Sequence, residues 1–117
     1  MKKFIICYFF IILFSYKETI SSRFINGMED IPIFKEMQYV EDSLVLFDKV
    51  DGRYVSSEIN GRYEKSEITE FYNKILPNLG WENSGFLKFK RGNEILEIGL
   101  SESEDIITVI FSIYPLK

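Results

Sequence analysis

The chain has 117 residues, 46% of them hydrophobic and 27% charged, with 18 acidic against 14 basic side chains and a net charge of −4. That suits one domain with a single core, and the acidic balance argues against nucleic acid, whose phosphates need a basic face. The chain has no His and one Cys, Cys7, which excludes the usual Ser-His-Asp and Cys-His nucleophile systems and the usual zinc sites.

Met1-Lys2-Lys3 is a short positive start, Phe4 to Phe14 is unbroken apolar, and Ser15 to Ser22 is mostly polar. This order predicts a secretory leader. The apolar run is too short for a permanent span, which needs roughly 20 residues. Thr19 and Ser21 offer small residues for cleavage after Ser21, so residues 1–21 are expected to be a signal peptide and the protein periplasmic or secreted. Cys7 lies near the start of the run, behind Phe4-Ile5-Ile6, and does not fit lipid attachment. Without it the remaining chain has no disulfide and must be stabilised by core burial. Contact with a membrane is expected only through the leader, if it is not cleaved.

Residues 22–43 carry many apolar groups without a sustained period, and Pro32 argues against a long helix. They are read as an irregular segment laid against an α+β domain over 44–117. In that domain Leu44–Asp48 is a strand candidate, Asp51-Gly52 a turn, and Arg53–Ile59 the returning strand, closed by Asn60-Gly61. Ile68, Phe71, Tyr72, Ile75, Leu76 and Leu79 recur at spacings of three and four, predicting a helix over 66–79 with Ser66 as its cap and Gly80 as its terminator. Phe86–Lys90, Glu94–Leu100 and Ile106–Tyr114 follow as strands, parted by Arg91-Gly92-Asn93 and by Ser101–Asp105. The order β-β-α-β-β-β predicts an antiparallel sheet of about five strands with one helix packed on one face. Asp51–Ile59 and Asn60–Ile68 repeat one another in part, but two copies cannot stack a continuous core.

Candidate chemistry is sparse. Glu102, Glu104 and Asp105 lack the spacing of a calcium loop and read as a solvated turn. Arg53, Arg62 and Arg91 read as surface charges. Paired carboxylates could hydrolyse a glycosidic bond, but so small a sheet with one helix offers little room for the cleft that needs. No catalytic residue, metal or cofactor is expected.

Two features remain. Trp81, directly after Gly80, is either a core plug where the helix ends or the platform of a ligand pocket between helix and sheet. In the last strand Ile107, Val109, Phe111 and Ile113 point one way, while Ile106, Ile110 and Tyr114 point the other, joined by Phe86 and Ile95 and by Tyr54 of the second strand. An antiparallel sheet with one wet face should alternate apolar and polar, so an apolar second face implies a cover. Either residues 24–40 fold back over it, or a protein partner or second copy does.

The run Phe71-Tyr72 through Leu76-Pro77-Asn78-Leu79-Gly80-Trp81 to Phe89-Lys90-Arg91 resembles small exported alphaproteobacterial proteins, which pair a Gly-Arg strand turn with a Phe-Tyr…Leu-Pro-x-Leu-Gly-Trp helix end. Asp48, Gly52, Arg53 and Gly61 are similar too, so the resemblance covers residues 44–115. It implies export and an α+β fold and carries no established activity. The function expected is a non-catalytic interaction or accessory protein of the cell envelope. The alternative is a small-molecule or lipid-binding domain with a pocket near Trp81.

Overall fold

A computed structural model describes residues 23–116, so the leader expectation lies outside the described residues. The strands are β1 (Phe24–Ile25), β2 (Met28–Pro32), β3 (Gln38–Tyr39), β4 (Val45–Lys49), β5 (Gly52–Gly61), β6 (Glu82–Gly85), β7 (Lys88–Arg91), β8 (Glu94–Ser103) and β9 (Ile106–Pro115); one helix, α1 (Lys65–Ile75), follows β5. The class is α+β with antiparallel pairing, as the sequence predicts. The strand number is not. Seven strands form the main sheet in the order β3-β5-β9-β8-β7-β6, with β4 also beside β5, and β1 and β2 form a separate hairpin.

The centre of the sheet is built from the two clearest alternations in the chain. In β9, Ile107, Val109, Phe111 and Ile113 are buried while the residues between them are half-exposed. They meet Val55, Ser57 and Ile59 of β5 on one side and Leu96, Ile98 and Leu100 of β8 on the other. Pairing of β8 with β9 runs to Ser103↔Ile106. The broad polar turn expected over 101–105 is therefore only Glu104-Asp105, whose φ values of 48° and 68° are those of a two-residue hairpin turn.

The predicted helix divides in two. α1 ends at Ile75 and a 3₁₀ turn (Leu76–Leu79) continues it, because Pro77 has no N–H to extend the α ladder. Gly80, with φ at 91°, closes the end, and the Trp81 N–H donates back to the Leu76 carbonyl at 3.1 Å. The N-terminal cap is Glu64, not Ser66; the Glu64 N–H donates to Glu67 Oε2 at 3.1 Å. This bond holds the Glu67 carboxyl below its usual range.

The main correction concerns the segment read as irregular. Its described part holds β1, β2 and β3, and Ile25, Met28, Ile31, Phe34 and Met37 join one core with Ile68, Tyr72, Trp81 and Phe111. It packs on the same sheet face as α1, not over the second one. The Tyr72 hydroxyl donates to the Pro32 carbonyl at 2.8 Å, joining helix and hairpin. The partial repeat has no structural counterpart: its first copy runs along β5 and its second from the end of β5 into α1.

Because Ile31 is fully buried, Ile31→Ala is expected to cost about 2–5 kcal/mol, measured by urea denaturation. A cost below about 0.5 kcal/mol, the level of ordinary surface changes, would mean that the hairpin is not part of the core.

Candidate interaction surface

The pairing registers place the open-face side chains in rows across the strands. Phe47 of β4 is paired with Tyr54 of β5. One step beyond the Val55–Ile113 pair, Tyr54 adjoins Tyr114 of β9, which is paired with Ile95 of β8. Phe47, Tyr54, Tyr114 and Ile95 thus make one apolar row at one end of the open face. Phe47 and Tyr54 stack with centroids 5.1 Å apart and planes 12° apart. Lys49 Nζ lies 5.0 Å from the Tyr54 centroid and 5.6 Å from that of Phe47. A shallow groove of about 420 Å³ runs alongside, lined by Tyr54, Lys88, Ile95, Tyr114, Pro115 and Leu116. Ile95 is buried yet lies outside the main core cluster, so its neighbours on this face cover it.

The row is bounded by polar side chains. The next row carries Ser56, Ser112 and Glu97, and Val45 is its apolar end. Ile110 sits between Glu58 and Gly99, four residues and roughly 13 Å along the strand from Tyr114. Ile106 is further still, opposite Ser103. The expectation of an apolar second face therefore holds at one end only. Phe86 is misplaced by the sequence reading, since it caps the turn between β6 and β7 and lies next to α1. Conversely, β4 went unassigned to either face, yet Val45, Leu46 and Phe47 are 52%, 59% and 44% exposed.

Trp81 is fully buried, and its Nε1 has no hydrogen-bond partner among the described residues. The Arg91 guanidinium covers its ring at 4.2 Å, donating also to Asp30 Oδ2 at 2.5 Å and to the Leu79 carbonyl at 3.0 Å. Of the two readings of Trp81, the structure places it as the core plug, and the alternative ligand platform is closed over. A groove between helix and sheet does exist, of about 940 Å³, but at the first turns of α1. Arg53 holds Glu94 at 2.7 Å and 3.2 Å, so Arg53 and Arg91, read as surface charges, are each engaged, and at separate places. No group of three or more His, Cys, Asp or Glu suited to a metal is gathered among the described residues, and no helix among them is long and apolar enough to cross a membrane.

The polar edge of the row has one marked titration. The Tyr114 hydroxyl donates to Glu97 Oε1, and this bond, with desolvation and the Glu97 charge, pushes the phenol up to about 12. Lys88 Nζ is 3.6 Å from the same Glu97 oxygen. No family model matches the chain, and neither a curated protein nor a solved structure matches it.

A phenol raised above its ordinary value of 10.0 contributes stability that is complete below pH 10 and lost as the pH rises through about 12. In an NMR titration of tyrosine ring carbons, Glu97→Gln is expected to move the Tyr114 midpoint down towards the ordinary value. An unchanged midpoint would assign the shift to something other than Glu97.

Proposed function

We propose that this is an exported, non-catalytic interaction or accessory protein of the cell envelope, which contacts a protein partner through the row Phe47–Tyr54–Tyr114–Ile95. The observation that carries the reading is the row itself. Two tyrosines, a phenylalanine and an isoleucine share one end of a sheet face that no described element packs across. Large aromatics with a polar tip supply much of the contact energy in protein interfaces at little entropic cost. A rim of Lys49, Lys88 and Glu97 would set orientation, as charges at an interface edge do. Export rests on the positive, apolar, polar order of residues 1–22. The resemblance to small exported alphaproteobacterial proteins supports the same placement.

A photo-crosslinking residue at position 47 in the native cell is expected to give a discrete adduct, and one at position 110 on the same face a much weaker one. The partner identified should bind the purified protein, and Phe47→Ser should weaken that binding at least tenfold without changing the melting temperature. Adducts containing only this chain would mean self-association. Equal adducts from positions 47 and 110, or none from either, would remove the row as the contact. Mass spectrometry of the protein from the same cells should find Ser22 as its first residue.

A further inference from the structure

A second surface, separate from the aromatic row, lies toward the other end of β8. β8 has ten residues and pairs with β9 along its whole length, but β7 covers only its first four, Glu94 to Glu97. The last bond on the β7 side is the Ile98 N–H donating to the Leu87 carbonyl at 3.0 Å. Backbone groups of an antiparallel strand alternate in direction, so the N–H and C=O of Leu100 and Glu102 point the same way as those of Ile98. Among the described residues no strand stands there to receive them.

The groove of about 940 Å³ occupies this position. Its lining includes Ile98, Gly99 and Leu100 together with Ser66 and Thr69 of α1 and Phe86. Ile98 and Leu100 face the core while Gly99 faces the open side. Gly99 has no side chain, so it lines the groove through its main chain, and the groove reaches the backbone of β8 where β7 no longer covers it. The opposite wall is displayed at a conformational cost. Leu87 is buried in the core with φ at 51°, a left-handed conformation uncommon for a branched residue, and this turn leaves Phe86 84% exposed beside the groove.

We infer that the uncovered half of β8 is a docking groove for an extended segment of a partner protein, alternating apolar and basic side chains, which joins the sheet as an added strand. Main-chain bonds to Leu100 and Glu102 would hold it, and alternate side chains would enter the apolar space between α1 and Phe86. Charge selects the sign of the others. Around the far end Arg62 and Lys65 stand among Glu64, Glu67, Glu70, Glu102 and Asp105; Lys65 is already 3.8 Å from Glu102, and Lys35 is 3.4 Å from Glu67. The surplus is acidic.

The test uses ¹⁵N-labelled protein and the acetylated, amidated peptide Lys-Val-Lys-Val-Lys-Val. Saturable shifts are expected at Leu100 and Glu102, with hydrogen exchange of these two amides slowed at least tenfold. The Glu-Val counterpart, and the Lys-Val peptide N-methylated at alternate amides, should each bind at least tenfold more weakly. Glu102→Pro should weaken binding at least tenfold, since it removes a donor that β9 does not use. Phe86→Ser, at an exposed site where folding is not at stake, should do the same. Absence of saturable binding, equal binding of the methylated peptide, or shifts at Phe86 without protection of Leu100 and Glu102 would each overturn the inference. Protection appearing at β4 instead would overturn it too.

Discussion

One constraint shapes this fold: a single short helix cannot cover the sheet it packs on. The 11 residues of α1 span about 16 Å at 1.5 Å per residue, whereas the ten-residue strands β5, β8 and β9 run about 33 Å. Uncovered, half of the apolar face made by β5, β9 and β8 would meet water. The hairpin β1–β2 and the chain leading from it to β3 supply the missing cover, burying Ile25, Met28, Ile31, Phe34 and Met37. Two polar contacts join the covers. Tyr72 reaches from the helix to the Pro32 carbonyl, and Arg91 bridges the ring of Trp81, the end of the 3₁₀ turn and Asp30 of β2. Burial pushes the Tyr72 phenol upward, as follows for a hydroxyl kept neutral within a core.

Both covers lie on one side, and the other side is left to its own composition. Ser56, Glu58, Thr108 and Ser112 make its middle polar, as a wet face should be. The aromatic row is an end effect. It forms where β4 joins the edge of β5 and where the chain turns out of β9 through Pro115 and Leu116. Beside it β4 is exposed along its whole length, an edge of the kind that soluble proteins usually shorten, twist or charge. Asp48 and Lys49 charge one end of β4 and leave Val45-Leu46-Phe47 apolar.

Much of the central architecture was legible because it rests on local periodicity. The stripe of α1 and the alternation of β9 each say which side is core, and the structure places Ile68, Tyr72, Phe111 and Ile113 accordingly. What was not legible depended on register or on distant partners. Asp51-Gly52 taken as a two-residue turn would set Phe47 opposite Ser56, but the loop is Val50-Asp51 and Lys49 pairs with Gly52. That two-residue slide keeps the face of Phe47 and creates its stack on Tyr54. The strands of 24–39 are two to five residues long and have no period to detect. Their order comes from packing on a helix more than thirty residues away in sequence. Phe86 failed for another reason: Leu87 takes a positive φ that alternation does not anticipate, and the chain turns just where a strand was expected.

The open half of β8 has its origin in that turn. Leu87 stands just before the first residue of β7 and turns the chain there with its side chain in the core. A longer β7 would continue the pairing past Lys88↔Glu97 and close the edge, and it would keep Leu87 on the face of Phe89, two residues away; what stops it is the Phe86-Leu87 turn that joins it to β6. The turn therefore keeps β7 short, and α1 begins alongside the edge that this leaves unpaired. An exposed edge in the middle of a sheet invites indiscriminate pairing. Here α1 on one side and Phe86 on the other confine it to a groove.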